Sequence, residues 1–153
     1  MSKLTINFSS SEFACPCCNK EVFYISHIMK LQAMHDHFSK KYKKEPNFVK
    51  IIIRVTSGYR CKKHNKEVYL QLWAEKTPKQ RAKFKDFDNF YCPGSQHTKG
   101  TATDIKVYVI YSDIGKVQIP PKIIYEYADK HFKGVGSYKR FTHCDSRRNK
   151  ARW

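Results

Sequence analysis

The sequence is short of acidic residues and has no long apolar stretch. Asp and Glu account for 13 of its 153 residues, against 30 Lys and Arg, which gives a formal net charge of +17. No window approaches the roughly 20 apolar residues of a membrane span. The opening segment MSKLTINFSSSEF also lacks an apolar run long enough for a signal peptide. We therefore expect no membrane span and synthesis in the cytosol, so that action outside a cell would need a separate release.

The positive charge is spread along the whole chain, which predicts a broad positive field and anionic partners. Nucleic acid, an anionic cell-wall polymer and a membrane surface all fit this charge. Hydrophobic residues make up 41% of the chain and aromatic residues 14%, which excludes a disordered polyelectrolyte. The length and composition predict one folded domain over residues 1–153.

Hydrophobic periodicity and turn residues predict alternating helices and strands. The predicted elements are a helix over 26–42 with Ser26 as its N-cap, a strand over 49–55, a helix over 62–75, a strand over 104–112, a helix opening at the prolines 120–121, and two short strands within 134–147. A basic connection dotted with aromatic residues, at 76–93, is predicted to be a loop insertion. This order predicts an α+β fold with a small antiparallel sheet flanked by helices.

The segment SQHTKGTATD, residues 95–104, places an imidazole and a carboxylate seven residues apart with small residues between them. We expect His97 in a loop that leads into a strand opening at Asp104, and His143 in a later strand of the same sheet. Two neutral imidazoles and one carboxylate form a ligand set of the kind that catalytic zinc uses, with the fourth position left to water. Gly100 and the small residues after it let the backbone turn tightly enough for both side chains to reach one ion. These residues are therefore predicted to bind a single catalytic Zn²⁺.

The six cysteines, in a chain without an export signal, are interpreted as thiols or metal ligands rather than as a disulfide framework. Cys15, Cys17 and Cys18, in the cluster CPCC, have the only ligand-like spacing. A second, structural zinc there would need a further ligand, for which Cys61 and Cys92 are the candidates. The alternative of buried or idle thiols stays open.

The metal segment resembles the signature Ser-x-His-x-x-Gly-x-Ala-x-Asp of the zinc D-alanyl-D-alanine carboxypeptidase family, which includes phage L-alanyl-D-glutamate endopeptidases. Ser95, His97, Gly100, Ala102 and Asp104 meet every fixed position of that signature. Outside the connection at about 69–93, other segments are similar to short phage-type members: FSSSEFACPCC, TSGYRCKKHN and GVGSYKRFTHCDSRRNKARW.

This resemblance implies a zinc ion held by His97, Asp104 and His143, and hydrolysis of peptide bonds in the stem peptides of peptidoglycan. Zinc supplies such a reaction with an activated water and a polarised carbonyl group. Arg60, in the SGYR segment, matches the family position that contacts the substrate or the transition state. Ser95 and Tyr138 are further candidates for substrate binding, with loop capping and packing as their alternatives.

The general base is the point at which the sequence departs from the family. Many relatives carry Glu or Asp three residues before the last zinc histidine, but Arg140 occupies that position here. If His143 lies in a strand, Asp145 projects from the same face and is the nearest carboxylate. Asp145 is therefore the candidate base, and an ion pair with Arg60 or Arg147 is its alternative role.

Two other functions compete with a monomeric cell-wall hydrolase. Hedgehog signalling domains resemble this family and keep a similar zinc site while serving as binding modules, so a non-catalytic zinc-containing module is one alternative. A surface that binds nucleic acid is the other, based on the basic and aromatic residues between 76 and 92. Mere solvation of those residues explains that pattern equally well.

Overall fold

A six-stranded sheet with helices packed on it forms the centre of the computed structural model, which describes residues 2–153. The elements are, in chain order, a 3₁₀ turn at Ser10–Phe13, α1 at Ile25–Tyr42, β1 at Phe48–Ser57, α2 at Lys62–Ala74, α3 at Pro78–Arg81, α4 at Phe87–Phe90, a second 3₁₀ turn at Gln96–Lys99, β2 at Ala102–Tyr111, β3 at Gly115–Gln118, α5 at Pro121–His131, β4 at Gly134–Ser137, β5 at Thr142–Asp145 and β6 at Ala151–Arg152. The predicted α+β class is confirmed. Within residues 2–153, no helix combines the length and apolar character needed to cross a bilayer.

The strands follow the order β1-β2-β5-β4-β6, and β3 pairs with the far half of β2. Every pair is antiparallel except the pairing of β4 with β6, which is parallel. The sheet is therefore mixed, and the prediction of an antiparallel sheet is wrong for this last strand. The parallel pairing arises because β6 returns to the outer edge of β4 instead of forming a hairpin with β5.

The hydrophobic core lies on one face of the sheet, under α1 and α5. From α1 it takes the fully buried side chains of Ile28, Leu31 and Phe38, at helical spacing. From β2 it takes alternate residues, including Val107 and Val109. Asp104 and His143, two of the predicted metal ligands, lie where β2 and β5 pair.

Two local predictions need correction. Helix α1 begins at Ile25, and its N-cap is Tyr24, which makes no side-chain capping bond, so Ser26 lies inside the first turn. The connection at 76–93 is not a plain loop, because it contains the short helices α3 and α4. Their ends are capped by Thr77 and Asp86, which accept backbone N–H bonds.

Aromatic side chains pack against one another between α2 and this connection. Trp73 contacts Phe84, Phe87 and Phe90 with ring centroids 5.5 to 6.3 Å apart. Tyr69 meets the edge of Phe90 at 5.4 Å. The segment therefore forms a small apolar cluster of its own beside the sheet.

Candidate metal centre

Strand register brings the predicted metal ligands together. Asp104 of β2 pairs directly with His143 of β5. His97 comes from the 3₁₀ turn Gln96–Lys99, which ends at Gly100 in the left-handed conformation with φ of 70°. A side chain at Gly100 would also strike the backbone of Val22 at 2.6 Å. Gly100 thus serves the tight turn that the small-residue segment predicts.

Three donor atoms converge on one point. His97 Nε2 lies 3.2 Å from His143 Nδ1 and 3.4 Å from Asp104 Oδ1, and His143 Nδ1 lies 2.9 Å from the same oxygen. Donors at zinc bond lengths of about 2.0–2.2 Å in a tetrahedral arrangement lie about 3.3–3.6 Å apart. The three side chains, here called the histidine site, are close enough together to hold one metal ion, although the 2.9 Å separation is shorter than this range.

In each of the three side chains, the second polar atom faces away from this point and forms a hydrogen bond with another protein group. His97 Nδ1 lies 2.8 Å from the carbonyl oxygen of Gly58, and His143 Nε2 lies 3.0 Å from Asp145 Oδ2. Because both partners can only accept, these two nitrogens donate, and the opposite nitrogens face the metal position. His143 Nδ1 also lies 2.9 Å from Asp104 Oδ1, so a metal bound there would displace the proton between these two atoms. Asp104 Oδ2 accepts from Arg60 Nη2 at 2.7 Å, which leaves Oδ1 for the metal.

Burial and the local charges set the protonation states of the histidine site. Burial lowers the pKa of His97, which favours the neutral ring that a metal needs. Burial would also lower the pKa of His143, but its hydrogen bonds with Asp104 and Asp145 outweigh burial and raise it. For Asp104, burial acts to raise the pKa, and the neighbouring histidines outweigh it and lower it far below its usual range. The carboxylate is therefore ionised and ready to bind a cation.

Asp145 lies behind His143, away from the three converging donor atoms. Its side chain is fully buried, and both of its oxygens accept bonds from the Arg147 guanidinium at 2.6 to 3.0 Å. Burial acts to raise the pKa of Asp145, but hydrogen bonds from His143 and Arg147 lower it far below its usual range. Asp145 does not line the cavity described below. This geometry favours the ion pair with Arg147 over the role of base, and Arg60 pairs with Asp104 instead.

A cavity of about 550 Å³ opens in front of the histidine site. Arg60, Ser95 and Tyr138, the predicted substrate-binding residues, all line it. The wall opposite the metal ligands comes from α2 and the connection after it, and consists of Val68, Tyr69, Leu72, Lys76, Phe90 and Cys92. The lining combines an apolar wall with several cationic groups, and Asp104 is its single carboxylate among residues 2–153.

The alternative roles of Ser95 and Tyr138 are partly resolved by their contacts. Ser95 is the N-cap of the second 3₁₀ turn, but its side chain makes no capping bond. Tyr138 stacks on Phe141, with ring centroids 4.3 Å apart, and its hydroxyl accepts from Trp153 Nε1 at 2.9 Å. Tyr138 therefore packs and lines the cavity at once.

Arg140, which occupies the acidic position of many relatives, is exposed on the turn between β4 and β5. Its backbone oxygen accepts from the Gln118 side chain, and the residue does not line the cavity. Thus no acid occupies the place three residues before His143.

Two residues near the centre, Trp153 and His27, were not predicted from the sequence. Trp153 lines the cavity, with its ring 5.1 Å from that of His143. His27 of α1 is buried behind the sheet, where Nε2 contacts Thr103 Oγ1 at 3.1 Å and Nδ1 contacts Ser146 Oγ at 2.9 Å. His27 lies in no recognised motif, so only the fold reveals it. Trp153 ends the closing block that resembles the family, and its place in that block was the one signal for it.

The cysteines divide into three environments. Cys15 and Cys17 come together with Cys61, and the three sulfur atoms lie within 4.8 Å of one another. Cys92 is exposed and lines the cavity instead, so it is not the further ligand. Cys144 is buried in the core, on the opposite side of β5 from His143. The prediction of a second metal group is supported for Cys15 and Cys17, with Cys61 as their partner. Cys18, which was also predicted as a ligand, is exposed and lies outside this mutually close group.

Comparisons of the chain with protein-family models, with curated proteins and with solved structures give no match. The resemblance of its motifs to the zinc carboxypeptidase family therefore stays a prediction.

Proposed function

We propose that the protein is a zinc-dependent peptidase that hydrolyses peptide bonds in the stem peptides of bacterial peptidoglycan, as a D,D-carboxypeptidase or an endopeptidase of phage or viral lysin type. The observation that carries this proposal is the convergence of His97 Nε2, Asp104 Oδ1 and His143 Nδ1 on one point at the floor of a cavity. A zinc ion bound there would supply Lewis-acid activation of a carbonyl group and of water.

The surrounding residues of the chain orient this ligand set. Asp145 holds His143 in the tautomer that presents Nδ1, and Arg147 keeps Asp145 ionised and in place. Arg60 holds the second oxygen of Asp104, so Asp104 meets the metal through one oxygen. We assign Asp145 and Arg147 as positioning residues of the site.

The cavity suits a peptide with carboxylate groups. Arg60, Lys76 and Arg147 place positive charge on its lining, and the apolar wall from α2 and α4 excludes water from one side. Stem peptides of peptidoglycan carry free carboxylates, and the net charge of +17 attracts anionic wall polymers without a separate binding domain. Arg60 also lies close enough to the donors to stabilise negative charge that develops on a substrate oxygen.

A zinc-containing binding module of the same architecture is the second candidate function. It is favoured by the absence of any carboxylate other than Asp104 from the lining formed by the described residues. A hydrolase needs a group that takes the proton of the attacking water, and a binding module does not.

Digestion of purified peptidoglycan distinguishes the two functions. The zinc-loaded protein is incubated with stem peptides and wall fragments, and the products are read by mass spectrometry with and without a chelator. We expect defined peptide fragments that disappear with the chelator and return with added zinc. The variant His143→Ala should produce none, whereas His131→Ala, which changes an exposed histidine of α5, should match the unaltered protein. Intact peptides that co-sediment with zinc-loaded protein would support the binding module instead.

A further inference from the structure

Cysteines from two distant parts of the chain come together near the surface. Cys15, Cys17 and Cys18 belong to the turn that follows the first 3₁₀ segment, and Cys61 is the N-cap of α2. Cys61 Sγ lies 3.7 Å from Cys17 Sγ, and Cys15 Sγ lies within 4.8 Å of both. Cys18 is the next residue of the same turn; it is exposed and falls outside that mutually close set. These four residues are here called the thiol cluster.

A disulfide and simple burial both account poorly for this arrangement. A disulfide requires its sulfur atoms at about 2.05 Å, and each cysteine in residues 2–153 is a free thiol. Burial explains Cys15 but not Cys17 and Cys18, which are exposed. Exposed thiols that gather from segments more than forty residues apart need another reason to be together.

The distances and the hydrogen bonds match a thiolate metal site. Two thiolates on one tetrahedral zinc, with bonds of about 2.3 Å, lie about 3.8 Å apart, and the Cys61 to Cys17 separation is 3.7 Å. Backbone N–H groups also point at the sulfurs: that of Cys61 donates to Cys15 Sγ and that of His64 donates to Cys61 Sγ, both at 3.4 Å. Such bonds stabilise the negative charge of thiolate ligands.

We propose that Cys15, Cys17, Cys18 and Cys61 bind one structural zinc ion through four thiolates. Four protein ligands close the coordination sphere and leave no position for water, so this ion has no part in hydrolysis. Cys18 completes the set by turning its exposed side chain toward the other three. The proposal rests on the thiols alone and stands whether or not the histidine site is a hydrolase.

This zinc would fix the segment that supports the histidine site. The chain from Gly58 to Cys61 packs on the N-terminal turn, since Tyr59 N–H donates to the Phe13 carbonyl at 2.9 Å. A side chain at Gly58 would strike the Phe13 backbone at 2.6 Å, which shows how closely the two segments lie. The same segment supplies the Gly58 carbonyl to His97 and the Arg60 guanidinium to Asp104. The thiol cluster therefore clamps the chain next to both contacts.

Metal analysis of the protein and its variants tests this inference. Purified in the presence of zinc, the full chain should hold two zinc ions, as measured by plasma mass spectrometry. The double variant His97→Ala/His143→Ala should retain one, and Cys17→Ser/Cys61→Ser should lose one. Cys92→Ser is the matched control, because it changes an exposed cysteine outside the cluster, and it should keep both. Cys18→Ser should weaken zinc retention against a chelator; unchanged retention would remove Cys18 from the ligand set.

A measurement on the unaltered chain covers the case in which the cysteine variants fail to fold. With zinc present, N-ethylmaleimide should modify Cys92 rapidly and leave the thiol cluster unmodified; after chelation the cluster should react as well. Cobalt loaded into His97→Ala/His143→Ala should give the near-ultraviolet charge-transfer absorption of cobalt thiolates. Rapid modification of all four thiols in zinc-loaded protein would overturn the proposal. So would a protein mass two units lower than that of the reduced chain, because it would show that two of the thiols form a disulfide. Inactive protein with both zinc ions bound would instead count against the proposed hydrolase alone.

Discussion

The donors of the histidine site lie inside the sheet, whereas the thiol cluster lies at the surface. His97, Asp104 and His143 are 3 to 8% exposed, and each has a protein partner for the atom that faces away from the metal position. Cys17 and Cys18 are exposed and are held by the turn that carries them. A buried carboxylate without partners is costly, whereas an exposed thiol is not. Protein contacts thus hold the donors of the histidine site in position, and we expect bound metal to contribute more to the order of the thiol cluster.

The change Asp104→Asn should have the largest effect and should separate the two regions. It removes the negative charge that balances both a metal and Arg60, whose pairing with Asp104 is buried. Loss of a residue that only hydrogen-bonds to a metal ligand lowers metal affinity by about 10–100-fold. Loss of the ligand Asp104 itself should therefore lower metal affinity by more than about 100-fold. Competition with a chelator measures this loss of metal affinity.

The control is Asp113→Asn, which changes an exposed aspartate on the β2–β3 turn and should leave metal affinity unchanged. In Asp104→Asn, zinc at the thiol cluster should persist, and its loss would show that the two regions are not independent.

Asp145→Asn tests whether the residues that hydrogen-bond to the ligands of the histidine site contribute to its metal affinity. The amide keeps the shape of the carboxylate but cannot pair with the Arg147 guanidinium or hold His143 as firmly. We expect zinc affinity to fall by about 10–100-fold, with hydrolysis restored in part by excess zinc. A general base would behave differently: zinc affinity would stay at the unaltered value, while hydrolysis would be lost at every zinc concentration.

Gly134→Ala tests the packing behind the histidine site. A Cβ at Gly134 would lie 2.1 Å from Asp145 Oδ2, so the carboxylate would have to move away from His143. Overpacking of this kind costs about 1–3 kcal/mol in the free energy of unfolding, which denaturant titration measures. Gly94→Ala is the matched control, since no atom lies within 4 Å of its added Cβ. Equal stabilities of the two variants would argue against tight packing around Asp145.

The smallest expected effect is a pH dependence that comes from His27, on the buried side of the sheet. Burial lowers the pKa of His27 to about 3. The unfolded chain takes up a proton below about pH 6.5 and the folded chain does not, so the free energy of unfolding falls as the pH drops from about 6.5 toward 3. Between about pH 7.5 and pH 5.5 this residue should account for a loss of about 1 kcal/mol.

The variant His27→Gln isolates this contribution from that of the metal ligands. Gln cannot titrate, so the loss in stability between the two pH values should be smaller for the variant than for the unaltered protein. Denaturation in the presence of a chelator removes the contribution of bound metal. Identical pH dependence of both proteins would show that His27 is already protonated or accessible in the folded state.

The sequence predicted the metal ligands better than their surroundings. His97 and Asp104 share one short segment with Gly100, and His143 lies in the second of two short predicted strands, so the sequence was enough to group these residues. Cys61 was one of two candidates for the thiol cluster, because nothing in the spacing tells which distant cysteine folds back onto the turn. His27 could not be found at all, since its role depends on the register of α1 beneath β2 and β5.

The connection at 76–93 shows that secondary structure, too, was only partly predictable from the sequence. Its basic and aromatic residues were interpreted as a loop, and the structure shows that they form α3, α4 and one wall of the cavity. Short helices of four residues have too little periodicity to be recognised. Their side chains pack with Trp73 of α2, which is a tertiary contact that no local pattern encodes.

Side chains alternate between the two faces of β5, so this strand should not tolerate the insertion or deletion of a single residue. His143 and Asp145 lie on one face of the strand, and Cys144 faces the core on the other. One amino acid inserted or deleted within this strand would exchange the two faces and drive an imidazole into the space of Cys144. The connection at 76–93 carries no such register, so related chains should vary there in length, whereas the spacing from Thr142 to Asp145 should be invariant.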